Sequence, residues 1–197
     1  MTDLPPVTAY LCGAIDRAAE NIPSIAADIE KGAELLVSSL LNDKKILVCG
    51  SGLASPLAQL LTTGLMDQHE FERPGLPALN ISNDAVTISS IASAGHGEEI
   101  FSKQVRAIGM EGDCLVLCAL GNENSQLMKA VAEAHSKEIK TLIINGSKER
   151  VLDTKNTGQH QEINLKAVSL SNGTELSVFT INTLIRCIES KLFGTSI

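Results

Sequence analysis

The sequence predicts an α/β protein in which helices cover both faces of a parallel β-sheet. Short apolar runs alternate with amphipathic stretches along the chain, and short polar connections separate them. The run Ile46-Leu47-Val48-Cys49 leads through a Gly-x-Gly turn into an amphipathic stretch, which is the order strand, turn, helix. Repeated alternation of this kind is typical of a doubly wound sheet, because parallel strands are joined by crossover helices.

The N-terminal part of the chain is predicted to be helical. One helix is expected over about 7–20 and a second from there to about residue 41, divided at Asn21-Ile22-Pro23. Proline lacks a backbone N–H and its ring clashes with the preceding helical turn, so it favours a break between two helices. Asn42-Asp43 follows the second helix and is expected to end it.

Strands and helices then alternate to the end of the chain. Strands are predicted from short apolar runs over 45–49, 77–81, 114–119, 141–144 and 162–165. Helices are predicted to begin near Pro56, Asp84, Glu98 and Ser125. A long last helix is expected over about 171–192, capped by Ser171 or Asn172.

Length and composition favour one soluble domain. A chain of 197 residues is long enough for one sizeable core, so a single domain is predicted over 1–197, with N-terminal helices over 1–42 and an α/β core over 43–197. The net charge of −7 argues against direct binding to nucleic acid or to an anionic membrane, which requires clustered Lys and Arg. No apolar run approaches the roughly 20 residues that span a bilayer, so a cytoplasmic location is expected.

The cysteines predict neither a disulfide framework nor a metal cluster. The five cysteines are scattered and mostly embedded in apolar runs. They are therefore predicted to be reduced core residues, and no metal or other cofactor is predicted.

The turn after the first strand is the strongest candidate for a ligand site. Gly50 and Gly52 permit backbone angles and close approaches that a side chain forbids, and Pro56 fits the first turn of the next helix. Backbone N–H groups at such a helix N-terminus favour an anion such as a phosphate. A tight turn without any ligand requires the same glycines, so both interpretations stay open.

Three segments together resemble the SIS (sugar isomerase) domain family and, within it, the branch of phosphoheptose (sedoheptulose 7-phosphate) isomerases. These segments are VCGSG at 48–52, FERPGLPA at 71–78 and FSKQVRAIGMEGD at 101–113. The resemblance covers nearly the whole chain. It implies a flavodoxin-like three-layer fold with a five-stranded parallel sheet, and a homotetramer in which the first helix packs on neighbouring subunits.

The same resemblance argues against isomerase activity. Leu60 and Gly64 stand where the isomerases carry a His and a Glu, and Thr174 and Asn182 stand where they carry a Gln and a His. The loop after the third strand reads ALGNEN at 119–124 instead of the hydroxyl-rich STSGNS. The resemblance therefore implies a non-catalytic protein without metal, whose degenerate sugar-phosphate pocket would comprise Gly50, Ser51, Gly52, Asn122 and Asn124.

Within this branch the chain resembles the non-catalytic, tetrameric proteins that associate with the replication initiator DnaA and promote its assembly at the bacterial origin. The block KQVRA at 103–107, Asn182 and the ending Leu192-Phe193 carry this resemblance. Two large apolar residues at a helix end near solvent suit a partner-binding hot spot, although core or subunit-interface packing explains them equally well. The alternative function is a sugar-phosphate isomerase or a sugar-phosphate-binding regulator.

Overall fold

The protein contains one parallel sheet with the strand order of a flavodoxin-like fold. The computed structural model describes residues 5–67, 70–121, 125–149, 151 and 160–196. In these ranges the strands are β1 (Ile46–Gly50), β2 (Ala78–Asn80), β3 (Cys114–Ala119), β4 (Lys140–Asn145) and β5 (His160–Asn164), in the order β2-β1-β3-β4-β5. All neighbouring pairs are parallel. The predicted flavodoxin-like α/β sheet is therefore confirmed.

Helices connect the strands and cover both faces of the sheet. In the described ranges they are α1 (Pro6–Leu40), α2 (Ser55–Met66), α3 (Ala85–Ser93), α4 (Ile100–Ile108), α5 (Ser125–Ser136) and α6 (Leu170–Phe193). Short 3-10 turns, Gly52–Ala54 and Gly97–Glu99, precede α2 and α4. None of the described helices is long and apolar enough to cross a membrane.

The prediction of two N-terminal helices is wrong, because α1 runs without a break through Pro23. The side chains of Asn21, two residues before the proline, and of Ser24, directly after it, bond to the helix backbone. The Asn21 amide donates to the Arg17 carbonyl oxygen at 3.2 Å, and the Ser24 hydroxyl donates to the Asn21 carbonyl oxygen at 2.8 Å. Pro23 is exposed, so its ring costs the helix one hydrogen bond but disturbs no packing.

Two apolar cores lie on opposite faces of the sheet. Alternate strand residues contribute to each core, so that Ile46 and Val48 face α1, α2 and α6, whereas Leu47 and Cys49 face α4 and α5. This alternation follows from the pleat of a β-strand. It confirms the three-layer arrangement and explains why the strand sequences are apolar throughout.

Several local predictions need correction. The side chain that caps α6 is Ser169, whose hydroxyl accepts from the Asn172 N–H at 3.2 Å, and not Ser171 or Asn172. Cys12 is exposed, whereas the other four cysteines are buried as predicted. Burial raises the pKa of Cys118 to about 12, so this thiol stays protonated at neutral pH.

Candidate functional site

The candidate site lies at the carboxyl end of β1, where the strand order reverses between β2 and β3. In doubly wound sheets ligands bind beyond the strand ends at such a position. A Cβ added to Gly50 would lie 2.4 Å from the Ala54 carbonyl oxygen, so only glycine fits there. Gly52 adopts a φ of 55°, and no side chain caps the N-terminus of α2 behind it. The turn therefore presents uncapped helix N–H groups in the arrangement predicted from sequence.

A serine beyond β2 braces this turn. The Gly50 N–H donates to the Ser82 hydroxyl at 2.8 Å, and the same hydroxyl donates to the Gly50 carbonyl oxygen at 3.0 Å. The Asn80 side-chain oxygen in turn accepts from the Ser82 N–H at 2.8 Å. Both backbone groups of Gly50 are thus bonded, which fixes the start of the turn.

A glutamine spans the crevice between the turn after β1 and the 3-10 turn before α4. The Ser51 hydroxyl donates to Gln126 Oε1 at 2.9 Å, and Gln126 Nε2 donates to the Gly97 carbonyl oxygen at 2.9 Å. One side chain in the first turn of α5 therefore joins the turn after β1 to the 3-10 turn before α4. A ligand that bonds to the Ser51 hydroxyl must displace or rearrange Gln126.

The start of the loop after β3 is apolar. Ala119 is buried, and its carbonyl oxygen accepts from the Gly146 N–H at 2.8 Å. Leu120 is half-buried and packs on the core between the sheet and α6. The predicted pocket residues Asn122 and Asn124 lie outside the described residues. The structure thus brings Gly50, Ser51 and Gly52 together at the end of β1, beside the end of β3.

The positions that the resemblance aligns with metal ligands of the isomerases do not suit a metal. Leu60 is half-buried against the core, Gly64 is buried, and Asn182 is half-buried. The Thr174 hydroxyl donates to the Leu170 carbonyl oxygen one helical turn earlier, at 3.0 Å. Among the described residues there is no group of three or more His, Cys, Asp or Glu side chains that could hold a metal ion. This donor set does not fit the catalytic metal of an isomerase.

Glu98, the residue after the Gly97 end of the Gln126 bridge, forms an ion pair that favours its ionised form. Glu98 follows Gly97 and pairs with Lys129, with the two charged atoms 2.9 Å apart. The hydrogen bond from Lys129, followed by its positive charge, lowers the pKa of Glu98. A carboxyl group with a lowered pKa is poorly suited to act as a general acid near neutral pH.

The predicted partner-binding residues at the end of α6 have different environments. Leu192 is half-buried and packs on the main core. Phe193 is 39% exposed, and its ring meets the edge of the Phe71 ring with centroids 6.0 Å apart. An ion pair between Glu70 and Arg186 lies along the same stretch of α6. The exposed apolar surface here is therefore the Phe71–Phe193 pair, whereas Leu192 packs on the core.

A buried ion pair attaches the segment that carries Phe71 to α6. Arg73 Nε and Glu189 Oε1 are 2.8 Å apart, and both side chains are 1% exposed. The Arg73 guanidinium also donates to the carbonyl oxygens of Gly64 and Leu65, at 2.5 Å and 2.9 Å. A cation at these last carbonyls of α2 is favoured by the helix dipole. Arg73 thus connects the end of α2 to the end of α6.

Sequence reasoning missed Ser82, Gln126 and Phe71. Ser82 and Gln126 meet residues 32 and 75 positions away in the chain, and no local spacing indicates such a pair. In the sequence, Phe71 is distinguished only as part of the FERPGLPA segment. Its contact with Phe193, like the Arg73–Glu189 pair, joins residues that are far apart in the chain and is seen only in the folded structure.

The fold and the turn define a doubly wound α/β protein with a crevice at the strand-order reversal. The model of the SIS domain matches residues 9–146. The chain therefore belongs to the SIS domain family.

Relatives of this chain have two different names. It is 32% identical over 180 residues to a phosphoheptose isomerase of Methylococcus capsulatus, covering 91% of this chain and 92% of the relative. It is 34% identical over 176 residues to the DnaA initiator-associating protein DiaA of Photorhabdus laumondii, covering 89% and 88%. Because the two identities are nearly equal, overall similarity does not separate the enzyme from the initiator-associating protein.

Solved structures confirm the fold. A phosphoheptose isomerase from Francisella tularensis superimposes with a TM-score of 0.87 at 30% identity, covering 96% of this chain and all of that one. The predicted resemblance to the phosphoheptose isomerase branch is thereby confirmed.

Proposed function

We propose that this chain is a non-catalytic adaptor that binds the replication initiator DnaA and promotes its assembly at the chromosomal origin. One observation carries the proposal. Leu60, Gly64, Thr174 and Asn182 stand where the resemblance places the metal ligands and base of an isomerase. None of these four side chains is ionisable near neutral pH, and moving a proton between two carbons requires a general acid and base.

The similarity to a DnaA initiator-associating protein supports the choice of partner. The Phe71–Phe193 pair supplies a partly exposed aromatic surface, and aromatic residues are enriched among the few that dominate binding energy. A homotetramer would present several such surfaces, and multivalency raises the local concentration of bound initiator. We therefore propose Phe193, supported by Leu192, as the docking residue.

The test is binding of the purified chain to immobilised DnaA, with Phe193→Ser beside the unaltered protein. Phe179→Ser is the matched control, since Phe179 lies on the same helix and is 48% exposed. We expect the Phe193 variant to bind at least about tenfold more weakly, because truncating a hot-spot residue removes a large share of the binding energy. The control should bind with the affinity of the unaltered chain. Light scattering verifies that both variants keep the assembly of the unaltered protein. Absence of binding by the unaltered chain contradicts the adaptor function.

The second candidate is a sugar-phosphate-binding regulator or an isomerase with an unusual site. The observation that favours it is the Gly50–Gly52 turn, which leaves the N-terminus of α2 without a side-chain cap. Calorimetric titration with sedoheptulose 7-phosphate and with inorganic phosphate tests this candidate. Binding without turnover supports a regulator, whereas formation of an aldose phosphate product establishes an isomerase and contradicts the proposal.

A further inference from the structure

A groove over β2 remains outside the crevice and outside the Phe71–Phe193 surface. Its volume is about 360 Å³, which falls in the range of binding clefts. Side chains of β2, α3, α4 and their connections line it: Leu79, Asn80, Ile81, Asp84, Thr87, Gln104, Ala107 and Ile108. Leu79 is 46% exposed in this groove although it belongs to the sheet.

The wall of the groove on α4 is held in place. Gln104 Nε2 donates to the carbonyl oxygens of Ile81 and Ile100, at 2.9 Å and 2.8 Å. Gln104 and Ala107 both belong to the KQVRA block at 103–107. This block therefore forms one side of a preformed groove, and binding there requires no rearrangement of α4.

The groove borders a sheet edge whose backbone groups point outward. β2 is an edge strand. The Ile46 N–H donates to the Pro77 carbonyl oxygen and the Ile81 N–H donates to the Val48 carbonyl oxygen, each at 2.9 Å. In a parallel ladder the residues that face the partner strand alternate, so the backbone groups of Ala78 and Asn80 face away from β1. An added strand pairs with such groups.

One carboxylate lies in this otherwise uncharged groove. Asp84 is the single charged residue among the described residues that line it. Asp84 caps α3 by accepting from the Thr87 N–H at 2.9 Å and from the Thr87 hydroxyl at 2.6 Å. Bonding to the Thr87 hydroxyl, and then to its N–H, lowers the pKa of Asp84. The groove therefore combines an apolar wall with a fixed negative charge.

We propose that the groove and the β2 edge bind an extended segment of a partner protein, in which an apolar side chain is followed two positions later by a lysine or arginine. The outward backbone groups select the extended conformation. Leu79 and Asp84 both line the groove, and in an added strand every second side chain points to the same face. One such side chain is therefore assigned to Leu79 and the next to the Asp84 carboxylate. This binding site is separate from the surface at Phe193 and does not depend on the adaptor function.

The probe is a library of random nonapeptides displayed on phage and selected on the immobilised full-length chain. We expect the selected peptides to share an apolar residue followed two positions later by Lys or Arg. A selected peptide is then synthesised with a fluorescent label, and its affinity is measured by fluorescence anisotropy. Selection of peptides without this pattern overturns the proposal.

Two substitutions separate the charge from the apolar contact. Asp84→Asn keeps a residue that caps helices well but removes the charge. This variant should bind the basic peptide about threefold more weakly, which is the usual effect of losing an exposed ion pair. Its affinity for the same peptide with citrulline in place of arginine should equal that of the unaltered chain. Leu79→Thr keeps a strand-forming residue and should weaken both peptides about tenfold through lost apolar burial. Equal affinities for the unaltered chain and both variants overturn the proposal.

Val86→Thr is the matched control, because Val86 is exposed on α3 but does not line the groove. Its peptide affinity should equal that of the unaltered chain. Light scattering of Leu79→Thr tests whether a second copy of this chain occupies the groove instead. A change in assembly mass for that variant identifies the groove as a subunit interface and overturns the proposal.

Discussion

At the scale of single residues, the two glycines of the turn after β1 have different physical roles. Gly50 has no room for a side chain, because an added Cβ would lie 2.4 Å from the Ala54 carbonyl oxygen and 2.7 Å from its carbonyl carbon. Gly52 has open space around it but adopts a φ of 55°. One position therefore depends on a close approach, and the other on backbone conformation.

We predict that Gly50→Ala destabilises the protein more than Gly52→Ala. The Gly52 variant should lose about 1–2 kcal/mol, the cost of a left-handed conformation for a residue with a Cβ. The Gly50 variant should lose more than about 3 kcal/mol, because its clash is with backbone that cannot rotate away. Urea unfolding followed by circular dichroism measures both free energies of unfolding. Equal losses would contradict the close approach at Gly50.

A second residue-scale feature is the stacked histidine pair between α5 and β5. The rings of His135 and His160 have centroids 6.0 Å apart and an interplanar angle of 23°. Burial, and then the charge of His160, lower the pKa of His135. The folded protein therefore holds fewer protons than the unfolded chain just below the ordinary histidine pKa of about 6.5.

This difference predicts a pH dependence of stability. The contribution of His135 is fully present above about pH 6.5 and is lost as the pH falls below that value, because the unfolded chain then binds the additional proton. Thermal unfolding of the unaltered chain and of His135→Gln, compared at pH 7.5 and at pH 5.5, measures the effect. The variant should show the smaller decrease in Tm, and a larger decrease would contradict this assignment.

At the scale of elements, Arg73 holds the segment after α2 against the end of α6. We predict that Arg73→Met lowers the free energy of unfolding by about 3–5 kcal/mol, the usual cost of breaking a buried ion pair. Because that variant breaks the Arg73–Glu189 ion pair, the double variant Arg73→Met, Glu189→Met should recover part of the loss. Urea unfolding of both single variants and the double variant forms the thermodynamic cycle. Strict additivity would contradict direct coupling of the two side chains.

The same pair predicts how the proposed binding of DnaA depends on the 70–76 segment. Phe71, which meets Phe193, lies two residues before Arg73, and Arg73 joins this segment to α6 through Glu189. Arg73→Met should therefore weaken binding to immobilised DnaA even at temperatures where the variant is folded. Normal binding by the folded variant would show that Phe71 is not part of the docking surface.

Elements were predicted from sequence wherever the local pattern determines them. The apolar run at 114–119 matches β3 residue for residue, since a strand buried on both faces has no polar positions. The continuity of α1 was not predicted, because Pro23 is a local signal for a break, whereas the burial of Ile25 and Ile29 just beyond it depends on the folded core. The Ser51–Gln126 bridge was not predicted either, because it joins residues that only the sheet topology brings together.

At the scale of the whole molecule, one helix has two different environments. The apolar residues of α1 recur at alternating spacings of four and three from Leu11 through Ile15, Ala18, Ile22 and Ile25 to Ile29. Ile25 and Ile29 are buried in the core, whereas Leu11 and Ile15 are exposed. The stripe that packs on the sheet thus continues beyond it without a partner among the described residues.

We predict that this exposed part of the stripe forms the contacts between subunits of the homotetramer that the family resemblance implies. Ile15, which is 68% exposed, should be buried in the assembly, so Ile15→Glu would place a charge in an apolar interface and shift the mass towards smaller species. Ala9→Glu adds the same charge on the opposite side of α1 and should leave the mass unchanged. Size-exclusion chromatography with light scattering measures both masses. A monomeric mass for the unaltered chain would contradict the tetramer and, with it, the multivalent presentation on which the proposed adaptor function depends.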